Sequence, residues 1–251
     1  VALGRLLTGG ALFSSLLKGR QRLALMIEGN GPLGKLSVEA DASGRIRGTL
    51  RNPIADLPPK DDRFDVSGAI GRAGFLHVWK DLGLKEPYQS MVQLQTSEVG
   101  EDLAWYLTSS EQVPSSVSLG VELGGQGEVA AAGGILVQAL PGADDHRVEQ
   151  VIKRLQQLPP TTSMLRQGMM PSAILAQVFS DIDCRALNSL ELEFYCPCSR
   201  EQTAGMLLSL GWDDLERLSE QQDTVEVVCE YCRTPYRFDQ EQVRELIATM
   251  K

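Results

Sequence analysis

The sequence predicts an α+β protein with a mainly antiparallel-sheet N-terminal body carrying helices, a helical linker, and a small C-terminal module marked by its cysteines. Three observations carry this. From residue 22 to residue 140, short apolar runs recur between Gly, Pro, Asn and Asp, the pattern of strands joined by tight turns. From Asp144 the apolar period lengthens to three and four, which is helical. Four of the five cysteines then fall between positions 196 and 232. The boundaries expected on these grounds are 1–142, 143–193 and 194–251.

The elements follow in order. Leu3, Leu6, Leu7, Leu12, Phe13, Leu16 and Leu17 form the buried stripe of a first helix, weakened by Gly9 and Gly10 at about 1 kcal/mol each. Strands are expected at 22–28, 35–40, 45–51, 74–79, 90–96, 116–123 and 134–140, with a helix at 101–110. The Gly29-x-Gly31-x-x-Gly34 spacing matches a dinucleotide fingerprint, but that motif must open a helix facing the pyrophosphate. Residues 35–40 alternate like a strand instead, so the glycines are expected to form a hairpin turn. In the linker, Val148, Val151, Ile152, Leu155 and Leu158 make an amphipathic stripe that stops at Pro159-Pro160. Shorter helices are expected at 162–167 and 171–179, with Met164, Met169 and Met170 gathered around Gly168.

The hydrophobic fraction of 43% and charged fraction of 23% are those of a globular chain with a real core. The net charge of −9 opposes nucleic-acid binding, which calls for a basic surface to displace counterions from phosphate. No apolar run approaches the roughly 20 residues that span a bilayer. The expectation is a cytoplasmic protein with no nucleic-acid or membrane partner. The chain opens at Val1 already inside an apolar periodic pattern, as though an upstream portion were missing.

The C-terminal chemistry rests on Cys196-Pro197-Cys198 and Cys229-Glu230-Tyr231-Cys232. Two close cysteine pairs are the common way to give a zinc ion four soft ligands in a tetrahedron. Strands at 225–228 and 236–239 flank the second pair as a hairpin. Ser199, with Gln202 three residues on, caps a helix over 200–210; Gly211 ends it, and 212–218 makes another. Asp239 and Gln242 cap a terminal helix in the same way. The 37 residues from Cys196 to Cys232 are too few to fold readily alone, since modules below about 40 residues usually need a metal or disulfides. Four buried cysteines without metal, or static disulfides, are the competing readings. Cys184 is expected to be a small core residue, and His77 a structural residue of its strand. Arg200 and Arg233 stand beside the pairs, where they either favour thiolate or are ordinary surface arginines.

Beyond the cysteines, the chain resembles the bacterial redox-regulated heat shock protein 33 family, the 33 kDa chaperonins. The stretches that carry the resemblance are FYCPCSRE at 194–201, VCEYC at 228–232 with YRF at 236–238, GNGPLG at 29–34, SEQVP at 110–114 and AAGGILVQALP at 131–141. The resemblance implies an ATP-independent holdase that is not an enzyme, zinc-bound and quiet when reduced, with one zinc per chain on Cys196, Cys198, Cys229 and Cys232. It implies that oxidants form Cys196–Cys198 and Cys229–Cys232 disulfides, that zinc module and metastable linker unfold, and that the oxidised protein is a homodimer holding unfolding clients. Relative to the family, a first helix-and-strand portion is absent. The linker residues Val151, Leu155, Leu158, Met164, Met169 and Met170 are the candidates for client contact, because melting would uncover an adhesive apolar stripe and methionine adapts to varied surfaces. Two rivals remain: a thiol-disulfide oxidoreductase using Cys229 and Cys232, and a zinc-ribbon nucleic-acid module.

Overall fold

A computed structural model of the chain describes residues 1–60 and 63–249. The chain divides into two compact units, Val1–Phe194 and Tyr195–Lys251. The first unit opens with α1 (Ala2–Ser14), followed by β1 (Arg22–Gly29), β2 (Lys35–Asp41), β3 (Arg45–Leu50), α2 (Val66–Ile70), β4 (Gly74–Asp81), β5 (Tyr88–Gln93) and α3 (Val99–Ser109). It continues with β6 (Ser115–Leu123), β7 (Val129–Gln138), α4 (Asp145–Gln157), α5 (Thr161–Arg166), α6 (Pro171–Val178) and β8 (Glu193–Phe194).

The main sheet has the order β5-β4-β1-β2-β3-β8, antiparallel throughout except for the short parallel pairing of β3 with β8. Strict alternation along β1 and β2 sends Leu23, Leu25, Ile27, Leu36, Val38 and Ala40 to one face, where α1 packs. From the helices, Leu6, Phe13, Leu103, Tyr106 and Leu107 complete this core. Gly9 and Gly10 prove to be packing points rather than weak points. A methyl group on Gly9 would come within 2.4 Å of the Leu103 side chain, and one on Gly10 within 2.7 Å of Val38. Their lack of a side chain lets α1 lie close on α3 and β2.

The glycine-rich 29–34 segment is the β1–β2 hairpin turn, not a nucleotide loop. It docks on α2: Gly31 N–H donates to the Ile70 carbonyl at 2.8 Å and Leu33 N–H to the Ala69 carbonyl at 3.1 Å.

A second sheet is the β6–β7 hairpin, and the linker helix α5 lies against both of its strands. Ile135, Met164 and Ile174 form a small separate core there, edged by Val137, Leu155, Leu158, Leu165 and Met169. Asp144 caps α4 by accepting from the Arg147 N–H at 3.0 Å, and α4 stops before Pro159. Arg154 ties α4 to the end of α6 through Asp181 at 2.5 Å and the Val178 carbonyl at 3.1 Å. Among the described residues no helix is long and apolar enough to cross a membrane.

Several expectations shift. α1 ends at Ser14, where the Ser14 and Ser15 hydroxyls bond back to the Ala11 and Leu12 carbonyls. Leu16 therefore lies beyond the helix and is exposed. β7 begins at Val129 rather than 134, because Ala-Gly repetition hides strand alternation that the pairing with β6 restores. β5 and α3 each begin two residues earlier than expected. The five-residue α2 and two-residue β8 are too short to show a period. Cys184 is exposed, not core: it stands between Asp183 and Arg185 in a stretch without regular structure.

Gly31→Ala would place a methyl group 2.5 Å from backbone atoms of Ala69, Ile70 and Gly71. It should destabilise the first unit by about 1–3 kcal/mol, the range for overpacking. Gly125→Ala, with nothing within 4 Å, should stay within about 0.5 kcal/mol of the unaltered chain. Urea unfolding midpoints of the two variants check the contrast.

Candidate metal centre

The second unit comprises α7 (Arg200–Leu208), α8 (Trp212–Gln221), β9 (Thr224–Val228), β10 (Pro235–Asp239) and α9 (Gln240–Ala248). Leu207, Leu215, Val225, Phe238 and Val243 make its core, with Tyr236, Leu246 and Ile247 at the margin. Five buried side chains are a small core for such a unit, so its fold leans on its polar and sulfur contacts.

Each cysteine pair is placed by its own local device. The β9–β10 hairpin pairs Val228 with Pro235 and leaves 229–234 as its turn. That turn is closed by Cys229 N–H to the Thr234 carbonyl at 3.0 Å and Arg233 N–H to the Cys229 carbonyl at 2.9 Å, with Arg233 in the left-handed region at φ 61°. Cys196 and Cys198 lie between β8 and α7, in a stretch without regular structure that ends at Ser199, whose hydroxyl caps α7 through the Gln202 N–H at 3.2 Å. At the far end of the unit, Asp239 and Gln242 form a complete capping box on α9.

These devices bring the four sulfurs together. All four lie within 4.8 Å of one another, with Cys196 and Cys229 at 3.7 Å and Cys198 and Cys232 at 3.3 Å. Two bonds of about 2.3 Å from sulfur to zinc, meeting at the tetrahedral angle, put their sulfurs roughly 3.8 Å apart. The cluster therefore has the span that one tetrahedral ion requires, and an all-sulfur donor set suits a soft metal. It is the one such group among the described residues. The two histidines stand in the first unit, His77 in β4 and His146 in α4.

The surroundings polarise the thiols unequally. Hydrogen bonding to the Thr234 hydroxyl and backbone N–H holds Cys232 down to about 6, so it carries thiolate at neutral pH. At Cys198 the Tyr236 hydroxyl, 3.1 Å away, pulls the thiol downward, but burial and the three neighbouring sulfurs outweigh it and push the group up to about 12. Donation to Cys198 in turn raises Tyr236 to about 12. Clustered sulfurs resist shared ionisation, and a divalent cation removes that resistance.

Thr234 and Tyr236 were not singled out as cysteine partners by their sequence positions. The available signal is their spacing of two across the turn's last residue and the start of β10, the period that puts residues on one face of an extended chain. Arg200 does not serve the thiols: its guanidinium lies 4.3 Å over the Phe238 ring and donates to Gln242 Oε1 at 2.7 Å. The residues after Cys232 form β10 rather than a helix, so the pair lacks the helix N-terminus that activates thioredoxin-like thiols. Of the linker candidates, Val151 and Met164 are buried, Leu155, Leu158 and Met169 half-buried, and Met170 exposed.

Comparison with known proteins places this arrangement. The family model described as Hsp33 protein matches residues 1–239. The chain belongs to the Hsp33 family. A 33 kDa chaperonin of Syntrophotalea carbinolica is 54% identical over 248 residues, covering 99% of this chain and 86% of the relative. One from Geobacter sulfurreducens is 51% identical over 245 residues, covering 98% and 81%. The crystal structure of a 33 kDa chaperonin (heat shock protein 33 homologue) from Thermotoga maritima superposes with a TM-score of 0.93 at 38% identity, covering all of this chain and 85% of that one.

Metal uptake should release protons, because thiols bind as thiolates. At pH 7.5 the number released per ion should be below four, since Cys232, at about 6, is already ionised. As the pH falls through 6 Cys232 gains a proton, and the number released on binding should rise. Calorimetric metal titrations in buffers of different ionisation enthalpy measure it.

Proposed function

We propose that this chain is a redox-regulated, ATP-independent holdase of the cytoplasm, not an enzyme, whose Cys196, Cys198, Cys229 and Cys232 hold one zinc ion in the reduced state. The observation that carries the reading is the convergence of two sequence-distant cysteine pairs to within 4.8 Å on a fold shared with chaperonins. When bound, zinc supplies a charge that keeps all four sulfurs ionised and cross-links the hairpin turn to the start of α7. That cross-link matters because zinc contributes about 10–16 kcal/mol in small finger peptides, comparable to the total stability of a domain.

Oxidation removes the ligands. In each pair, two thiols and one hydrogen peroxide give one disulfide and two waters; hypochlorous acid acts on the same sulfurs. The disulfides Cys196–Cys198 and Cys229–Cys232 follow the family pattern. A pair so joined offers no thiolate, and the module loses the interaction that its small core cannot replace. Two residues upstream of Cys196, Phe194 closes the two-residue pairing of β8 with β3. Release of Cys196 frees the chain directly after that short strand, and the 180–192 stretch before it has no regular structure to resist.

The linker is suited to follow. Among the described residues, the core it shares with β7 holds three buried apolar side chains, against twenty in the main core. Val151, Leu155, Leu158, Met164, Met169 and the already exposed Met170 then form the surface offered to unfolding clients, and the oxidised chains pair as a homodimer.

Zinc content and suppression of a test enzyme's thermal aggregation, followed together before and after peroxide with mild warming, test the proposal. One zinc per chain, its release on oxidation and a parallel gain in holding are expected. Zinc retained through oxidation, with holding unchanged, would leave a static metal module. Independently, Leu155→Ser with Met164→Ser should weaken holding by the oxidised protein at least about threefold, roughly the loss of 0.7 kcal/mol of apolar contact. Unchanged holding would remove these side chains from the client surface.

A further inference from the structure

Residues 234 and 236 send one hydroxyl to each cysteine pair. Tyr236 Oη donates to Cys198 Sγ across 3.1 Å, while Thr234 Oγ1 lies 3.2 Å from Cys232 Sγ. The Tyr236 hydroxyl is carried on an anchored side chain. Its ring packs on the module's core, and its backbone is fixed in the hairpin opposite Val227. Cys198 itself is constrained next to the Ser199 cap of α7. The donor and the sulfur are thus positioned by separate elements, β10 and the start of α7, and neither depends on a mobile side chain to find the other.

We propose that Tyr236 is a positioning residue that sets how readily Cys198 is oxidised. The inference rests on the zinc-thiolate reading and deepens it. In the oxidation, a lone pair of the Cys198 thiolate attacks one oxygen of hydrogen peroxide. The O–O bond breaks, Cys198 becomes a sulfenic acid, and the departing hydroxide takes up a proton to become water. A neighbouring thiol then attacks the sulfenic sulfur: the S–S bond forms, the S–O bond breaks, and the thiol proton leaves with the hydroxyl as a second water. The nucleophile in the first step is sulfur electron density, and that is what the Tyr236 hydroxyl engages. An O–H···S bond that is strongest to the full thiolate weakens as charge moves onto peroxide, so it stabilises the resting site more than the transition state. With zinc bound, the same bond would help hold Cys198 as a ligand, as outer hydrogen bonds do for metal ligands generally. Tyr236 acts as a brake that keeps the reduced site silent at low oxidant.

Tyr236→Phe keeps the ring in the core and removes the hydroxyl alone. In zinc-loaded, reduced protein, alkylation and peroxide oxidation are followed at each cysteine separately by mass spectrometry. Cys198 is expected to react about three- to tenfold faster, with Cys232 little changed and zinc affinity lowered about tenfold, the lower end for loss of an outer-shell partner. Thr234→Val should speed Cys232 instead. A merely structural role for Tyr236 would raise both cysteines together, and that result overturns the proposal. A substitution that preserves shape guards against misfolding: Tyr236→3-fluorotyrosine makes the hydroxyl a stronger donor and should slow Cys198, and an unchanged rate overturns the proposal. An unaltered chain that binds no zinc when reduced overturns this inference and the holdase reading together. A zinc-loaded chain whose Cys198 ignores the loss of the hydroxyl overturns this inference alone.

Discussion

Four sulfur atoms within 4.8 Å of one another are the constraint on which the C-terminal unit depends. Sulfurs that close repel when ionised and gain little from one another when neutral, so such a cluster is a poor source of stability by itself. Everything around it is arranged to bring it about: a hairpin whose turn aims Cys229 and Cys232 the same way, and a capped helix start that stops the chain just after Cys198. The five-residue core behind them holds the helices and hairpin together but is small. On the zinc reading, the ion converts this repulsion into the strongest cross-link in the unit.

The same logic divides the first unit. Its main core is large and layered, with α1 laid close on β2 and α3 by two adjacent glycines. Of the linker helices, α5 lies instead on the β6–β7 hairpin, and α4 and α6 join it around a small core, helped by the Arg154 to Asp181 tie. Stability is therefore graded along the chain, and regions with few buried contacts open first. A switch needs such a gradient: one part that yields to a chemical change and one that stays folded to carry the response.

Much of this was legible from residue spacing. The CxC and CxxC pairs pointed to the residues whose four sulfurs come together, because two close pairs have few other uses, and the Gly29 to Gly34 turn was read correctly because residues 35–40 alternate. Ser199 and Asp239 announced their helices by cap chemistry. What the spacing hid has physical reasons too. Gly9 and Gly10 look like helix weak points until the facing Leu103 and Val38 are known. Cys184 was expected in the core, yet it is exposed, in a segment without regular structure and with Asp183 and Arg185 on either side. The role of Thr234 is local to the turn that holds Cys232, whereas that of Tyr236 arises from the hairpin's meeting with the Cys198 segment more than thirty residues earlier, a partner that strand spacing alone does not name.

The central claim is that the cysteine cluster and the linker stand or fall together. Hydrogen exchange across the oxidation, resolved by peptide, tests it most directly. The account predicts that residues 195–249 and the linker helices α4 to α6 lose protection together as the thiols are consumed, while β1 to β5 keep theirs. Loss of protection confined to the cysteine unit, with α4 to α6 still protected, would contradict it.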